Sequence, residues 1–485
     1  MVVRQVNQGP GPRGTIAGTF VAMPSLTDLP RVPHGFRAEL AAMVRLALPI
    51  VVVQLGQMLM GAVDTIMVGR VSAEAVGAIA LGNLYFFGAA IFGMGVLMAL
   101  DPVVAQAVGA RDSEAVARGV QRGLILAVLL SVLASVLLLP ARPVLGLLRQ
   151  PPGVADVAAA YARIAIVGIL PFYAFGALRQ SLQAMHRLTP IVVAIVIANL
   201  ANVALNYAWI FGRFGFPALG AVGAAWATAV SRWLVLVLLV AGAWSALRPQ
   251  LVPVRRAVWA WDPLRRMLAL GTPIGMQYEL EYGVFAVVGV MMGWMGTVQL
   301  AGHQVALNLA SLTFMVPLGV STAAAVLVGH AVGRGDAAEA RRAAAAALLC
   351  GVGFMVASAA VLLTVPGPIA RLYTTDAAVA ALAASLIPIA GVFQVFDCIQ
   401  VVSIGILRGA ADTRTPMLVN ILGFWLVGLP VSAILGFRTA AGPRGLWWGL
   451  TAGLVLVALV LLWRARRRLA GDVTRVVIDH DPALS

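Results

Sequence analysis

The chain has no lysine and few acids: 19 Asp and Glu stand against 34 basic residues, all of them Arg, in 485 positions. Charge at only 11 % of positions, hydrophobic residues at 61 % and a mean hydropathy of +0.95 exclude a water-soluble globule, because so little charge cannot cover such a core. The two cysteines, Cys350 and Cys398, fall in apolar runs; they exclude a disulfide framework and read as small buried hydrophobes. His303 and His330 have no second ligand at useful spacing, so no zinc motif is present. With no metal motif, nucleophile–base pair or large soluble loop, an intramembrane enzyme built on paired carboxylates is disfavoured and the chain reads as a non-enzyme. Residues 1–40 hold no apolar signal-peptide core, and their Pro, Gly and Arg content predicts a disordered extension. The net charge of +15 does not indicate nucleic acid, since the arginines sit in short segments between apolar stretches and form no continuous basic face.

What is present is a series of twelve apolar segments, each able to cross a hydrocarbon layer of roughly 30 Å. They cover 45–69, 78–102, 120–140, 157–181, 190–211, 219–243, 267–293, 303–328, 344–364, 382–407, 416–436 and 445–464. Arginines alternate between loops: Arg111, Arg118, Arg122, Arg179, Arg187, the run 248–266, Arg334, Arg341, Arg342, Arg408, Arg414 and both termini form the rich set. That asymmetry predicts cytoplasmic termini in a bacterial inner membrane, with the lipid bilayer as the chain's partner.

The halves repeat. "LALPIVVVQ" from Leu46 corresponds to "LALGTPIGMQ" from Leu268, and Pro49, Gly69, Gln106 and Gly109 match Pro273, Gly293, His330 and Gly333 at a shift of roughly 224. Because each half has an even number of spans, the copies share one orientation and a pseudo-twofold axis runs along the membrane normal. The expected architecture is therefore an all-α membrane protein of twelve transmembrane helices in two pseudo-symmetric six-helix lobes. Residues 41–245 would form the first lobe, 246–266 a cytoplasmic linker, 267–465 the second lobe and 466–485 a cytoplasmic tail. A monomer is expected.

Ionised groups inside a bilayer are costly, so intramembrane acids mark candidate sites. They are Asp64, Asp101, Glu279, Glu281 and Asp397. Their repeat counterparts are not acids: Asp64 falls on Val288, Glu281 on Gln57 and Asp397 on Pro171. Spacings of three or four build polar stripes around them: Gln57 and Asp64 on the first span, Gln277 and Glu281 beside Tyr278 on the seventh, Gln394 and Asp397 on the tenth. Asn199, Asn202 and Asn206 form another on the fifth, and Gln304, Asn308 and Ser311 one on the eighth. Glu279 lies about 200° around the helix from Glu281, so both cannot face one cavity; Glu279 is read as structural. Asp101, near the end of the second span, is read as hydrated. Arg232 is the main buried-arginine candidate to pair with an acid.

These residues sit in strings that resemble the multidrug and toxic compound extrusion (MATE) family, in its NorM-like bacterial branch. They are "GAVDTIMVG" around Asp64, "PVVAQAVGA" at 102–110, "LNYAWIFGRFGFPALGAVG" at 205–223, "GHQVALNLASLTFMVPLGVSTAAAVLVGHAVG" at 302–333 and "FDCIQVVSIGILRGAADTRTP" at 396–416. The resemblance covers roughly residues 40–465 and implies a twelve-helix antiporter that exports small-molecule cationic drugs in exchange for Na⁺ or H⁺, with no other cofactor. It places ion coupling on Asp64, Glu281 and Asp397, with Na⁺, if used, at Glu281 and Asp397. Gln57, Asn202, Asn206, Gln277, Tyr278, Gln304, Asn308 and Gln394 are expected around the substrate cavity. Relatives with an N-lobe aspartate site carry a second acid where this chain has Asn206, which favours the pair Glu281 and Asp397. A flippase for lipid-linked oligosaccharide shares the architecture but needs a cationic cavity, where this sequence offers acids.

Overall fold

The computed structural model describes residues 35–147 and 152–479; the extension expected over residues 1–40 falls almost wholly outside them. The described residues form helices and connecting turns, with no strand. The long helices are α1 (Phe36–Val68), α2 (Glu74–Gly109), α3 (Ser113–Leu138), the bent α4 (Gly153–Val167 and Ile169–Ala184), α5 (Thr189–Phe211) and α6 (Ala221–Gly242). The second half supplies α7 (Trp261–Met295), α8 (Thr297–Arg334), α9 (Ala337–Thr364), α10 (Ala377–Gly409), α11 (Arg414–Phe437) and α12 (Pro443–Ala470). Ten are long and apolar enough to cross a membrane individually, and the bent α4 makes eleven. The twelfth, α7, has 35 residues but falls short on apolarity, because Gln277, Tyr278, Glu279, Glu281 and Tyr282 crowd its centre.

Helix starts follow local chemistry. Ser72, Asp112, Asp336 and Asp376 each accept a backbone N–H of the helix they precede, satisfying donors that no intrahelical carbonyl reaches. Within α11, residues Ile421–Gly428 wind as a π-helix ahead of Pro430, which has no N–H to continue the ladder.

The two hydrophobic cores do not follow the sequence halves at their first helices. Met43, Leu46, Ala47 and Ile50 at the start of α1 pack into the core of the second half, and Leu264 and Met267 at the start of α7 pack into that of the first. Met43 and Met267 are repeat mates, so the exchange is itself two-fold. Both helices carry an internal proline at or beyond the end of the exchanged part, Pro49 and Pro273.

The lobes cross closely toward the arginine-rich end. There glycine replaces side chains wherever helix axes cross: a methyl added to Gly95 would stand 2.6 Å from the Gly275 Cα, one on Gly109 would strike the His330 carbonyl, and one on Gly333 the Gln106 carbonyl. Gly109 and Gly333, like Gln106 and His330, are repeat mates, so the α2–α8 crossing lies on the pseudo-twofold axis. Polar contacts seal the same end. Gln106 Nε2 donates to Gly409 O at 2.9 Å, and His186 in the α4–α5 turn stacks on His330 with ring centroids 4.9 Å apart. The tail then crosses the seam: Asp479 pairs with Arg118 and Arg122 on α3, Arg475 with Asp112, the Val476 N–H reaches Gln106 Oε1, and Arg266 on α7 donates to Ile478 O.

Candidate functional site

Beyond that seam, a cavity of about 390 Å³ opens between the halves. Most of its wall comes from α1, α2, α4 and α6, and the second half adds Tyr278, Met315 and Leu318. Gln57 and Tyr278 are among the residues that line it. Gln304, Asn308 and Ser311 do not line it; they continue the α8 face of Met315 and Leu318 at helical spacing, and Gln304 and Asn308 are exposed.

Asp64 projects from α1 into the first lobe and is 1 % exposed. One oxygen accepts Asn206 Nδ2 at 2.6 Å, the other accepts the Thr228 hydroxyl, and Asn206 also donates to Asn202 Oδ1 at 3.1 Å. Asn202 and Asn206 therefore stand behind Asp64 and do not line the cavity. A buried carboxylate held by neutral donors keeps its charge available to a mobile cation or proton. Thr228 was not singled out in the sequence, although Thr228, Ser231 and Arg232 form a polar stripe on α6 that marks that face.

Arg232 makes no salt bridge with Asp64. Its guanidinium lies over the Phe86 ring at 4.0 Å and near Phe172 at 5.3 Å, a cation–π shelf. Arg179, expected in a loop, is buried within α4 and donates to Gln54 Oε1 at 2.7 Å and Gln57 Oε1 at 3.1 Å. The cavity wall thus carries two guanidiniums beside one carboxylate, where the sequence reading set acids against a cationic cavity. Periodicity gives a helix's faces but not which neighbour each face meets.

Glu281 and Asp397 come together inside the second lobe, beyond Tyr278. They are in electrostatic range of each other, with Gln277 beside Glu281 and Asn420 Nδ2 3.4 Å from Glu281 Oε2. Gln400 Nε2 stands 3.4 Å from Asn420 Oδ1. Asn420, missed in the sequence because it is a single amide in an apolar run, opens the π-wound stretch of α11. Gln394 faces away from the cavity, accepting from Thr313 at 2.6 Å and donating to Ser358 at 3.0 Å. Gln277 is likewise buried in the second lobe. No Lys, Arg or His pairs with Asp64, Glu281 or Asp397 among the described residues within 4.0 Å.

Asp101 does not reach solvent at the helix end. It is fully buried and stands 3.0 Å from Arg408 Nε, joining α2 to α10 beneath the cavity, although the N–H does not point along that line. Arg408, assigned to a loop from its position in the sequence, lies inside α10 at 2 % exposure. Two residues read as surface charges are thus a buried ion pair across the seam, a placement that only tertiary contact reveals. Glu279 and Glu281 face different surroundings: Glu279 lines a separate groove against α2 and α3.

Comparison with known proteins gives a consistent result. The MatE family model matches residues 49–208 and 273–434. The chain is 36 % identical over 437 residues to the multidrug resistance protein MdtK of Edwardsiella ictaluri, covering 88 % of this chain and 95 % of that protein. It is 37 % identical over 460 residues to the probable multidrug resistance protein NorM of Rhodopseudomonas palustris, covering 93 % and 96 %. Among solved structures, the eukaryotic MATE transporter AtDTX14 superposes with a TM-score of 0.81 at 22 % identity, covering 90 % of this chain and 99 % of that one. An outward-facing multidrug resistance MATE transporter gives 0.81 at 21 % identity, with 91 % and 99 % coverage.

Proposed function

The chain belongs to the MatE family, on its NorM-like side, and from that premise we propose that it is a multidrug efflux transporter working by alternating access, a transporter and not an enzyme. The observation that carries this reading is a pair of lobes that cross closely at the arginine-rich end through glycines, with a cavity between them and a buried carboxylate held by neutral donors in each half, Asp64 on the cavity wall and Glu281 beyond it. Such acids are costly in a bilayer and become useful when a mobile cation neutralises them.

The arginine-rich, sealed end faces the cytoplasm, with both termini, in a bacterial inner membrane. Glu281 and Asp397 bind the coupling ion, H⁺ or Na⁺, and Asp64 with its Thr228 and Asn206 donors is a second site or gate on the cavity wall. A cationic drug and the ion then compete for negative charge, which enforces exchange. The membrane potential adds about 2.3 kcal/mol per charge per 100 mV. The names of the relatives do not favour an oligosaccharide flippase. The test is drug uptake into proteoliposomes with Na⁺ and pH gradients imposed separately: uptake under one gradient is expected, and uptake under neither refutes the reading.

A further inference from the structure

Glu279 is absorbed by none of this. It lies on α7 at the edge of a groove of about 250 Å³ between α2, α3 and α4, lined by Phe92, Leu130, Leu133, Leu137 and Tyr173 with small α2 residues at its base. Leu133 and Leu137 are 48 % and 49 % exposed on the outside of the helix bundle, so the groove opens to lipid. Among the described residues lining it, Glu279 is the only charged one. Its Oε2 is buried without a hydrogen-bond partner. The hydroxyl among the residues lining the groove is committed elsewhere, since Tyr173 donates to Ala90 O at 2.9 Å.

Duplication does not account for this acid: at the shift relating the halves, position 279 pairs with Leu55. Nor does a headgroup. Glu279 is about 27 Å from the first residue of α7 and about 24 Å from the last at 1.5 Å per residue. That depth is out of reach of lipid amines at the edges of a hydrocarbon core roughly 30 Å thick. The neighbouring residues Tyr278 on α7 and Met94 on α2 line the central cavity, so the groove and the cavity share one wall.

We propose that this groove is a membrane-side binding site for amphipathic organic cations, with Glu279 pairing the cationic centre, Phe92 and Tyr173 offering ring faces and the α3 leucines holding the apolar body. The unpaired carboxylate selects the occupant by charge, and the lipid-facing mouth selects molecules that partition into bilayers. The site rests on the efflux reading, because it delivers substrate to the cavity beside it.

The test uses the full chain in proteoliposomes with rhodamine 6G, a bilayer-partitioning aromatic cation, and in parallel a diazirine-bearing trimethylammonium photolabel without any gradient. Glu279→Gln is expected to raise KM for rhodamine 6G roughly fivefold while kcat stays within about twofold, as loss of a binding contact outside the chemistry of coupling requires. Glu279→Asp should restore most of it. The photolabel should mark residues 88–93 or 130–137 in the parent and in Glu279→Asp, and not in Glu279→Gln. If Glu279→Gln does not fold, Leu133→Trp, which fills the groove from its lipid face, should give the same KM signature. An unchanged KM and unchanged labelling, or labelling confined to the central cavity, overturns the proposal. If the parent moves no rhodamine 6G under any gradient, the efflux reading fails, and the labelling pattern still decides the groove.

Discussion

Single side chains separate the two acid sites. Asp64 has good donors on both oxygens, whereas Glu281 and Asp397 lie in electrostatic range of each other, with the neutral amides of Gln277 and Asn420 beside Glu281. Two poorly solvated anions repel, so the second site is where a cation or proton gains most. Replacing Asp397 with Asn removes that demand. We expect Asp397→Asn to keep its folding, because a buried charge is lost, and to reduce ion-driven drug accumulation in inverted vesicles by about tenfold or more, equivalent to about 1.4 kcal/mol of lost coupling. Accumulation equal to the parent's would move the coupling site to Asp64. The acids themselves were legible in the sequence as charges in apolar runs. Thr228 and Asn420 were not, since a lone hydroxyl or amide in a membrane helix has no periodic signature until its partner is known.

At the scale of elements, the seam depends on backbone meeting backbone. A methyl at position 333 runs into the Gln106 carbonyl, and neither helix can yield without parting the lobes. Gly333→Ala is expected to cost about 1–3 kcal/mol in the sealed state, seen as faster maleimide labelling of a cysteine placed at Ala105 when reagent is added from the arginine-rich side. Unchanged labelling would mean that the crossing is looser than the geometry says. The histidine turn beside it responds to acid. Burial, reinforced by Arg334, pushes His186 down to about 4, while its unfolded value is about 6.5. The folded state then binds fewer protons, so stability is full above about 6.5, declines as pH falls, and is spent near 4. Labelling of the same Ala105 cysteine should accelerate between pH 7.5 and 5, and His186→Phe, which keeps the stack on His330 without the titration, should flatten that response. The spans were readable from hydropathy, including 267–293, whose helix α7 proves less apolar than the others. The placement of Arg179 and Arg408 was not, because Arg near a helix end reads as loop until burial shows otherwise.

Across the whole molecule, the tail ties both lobes together. Burial works against the Asp479 carboxylate, yet hydrogen bonds from Arg122 and Arg118 outweigh it and hold its pKa below the usual value. Its contribution is therefore complete above about 3.9 and lost only as pH falls through the lowered value, so the strap is insensitive to pH in the range where His186 responds. Asp479→Asn should free the tail, detected as faster proteolysis after Arg475 at pH 7.5, with the drug site itself unchanged. No change in cleavage would show that the Val476 and Ile478 backbone contacts suffice.

The exchanged starts of α1 and α7 bear on how such a protein is made. Each half lacks, within its own sequence, the residues that close its core: Leu264 and Met267 fill the first, Met43 through Ile50 the second. During synthesis the first six helices enter the bilayer with a gap where α7 belongs, and α1 waits with its leading turns unhoused until α8 and α9 follow. A gene cut in the linker before Trp261 would yield two polypeptides, each an incomplete body alone and complementary when made together. Though born of duplication, the halves have become obligate partners in biogenesis, and neither could now be inherited without the other.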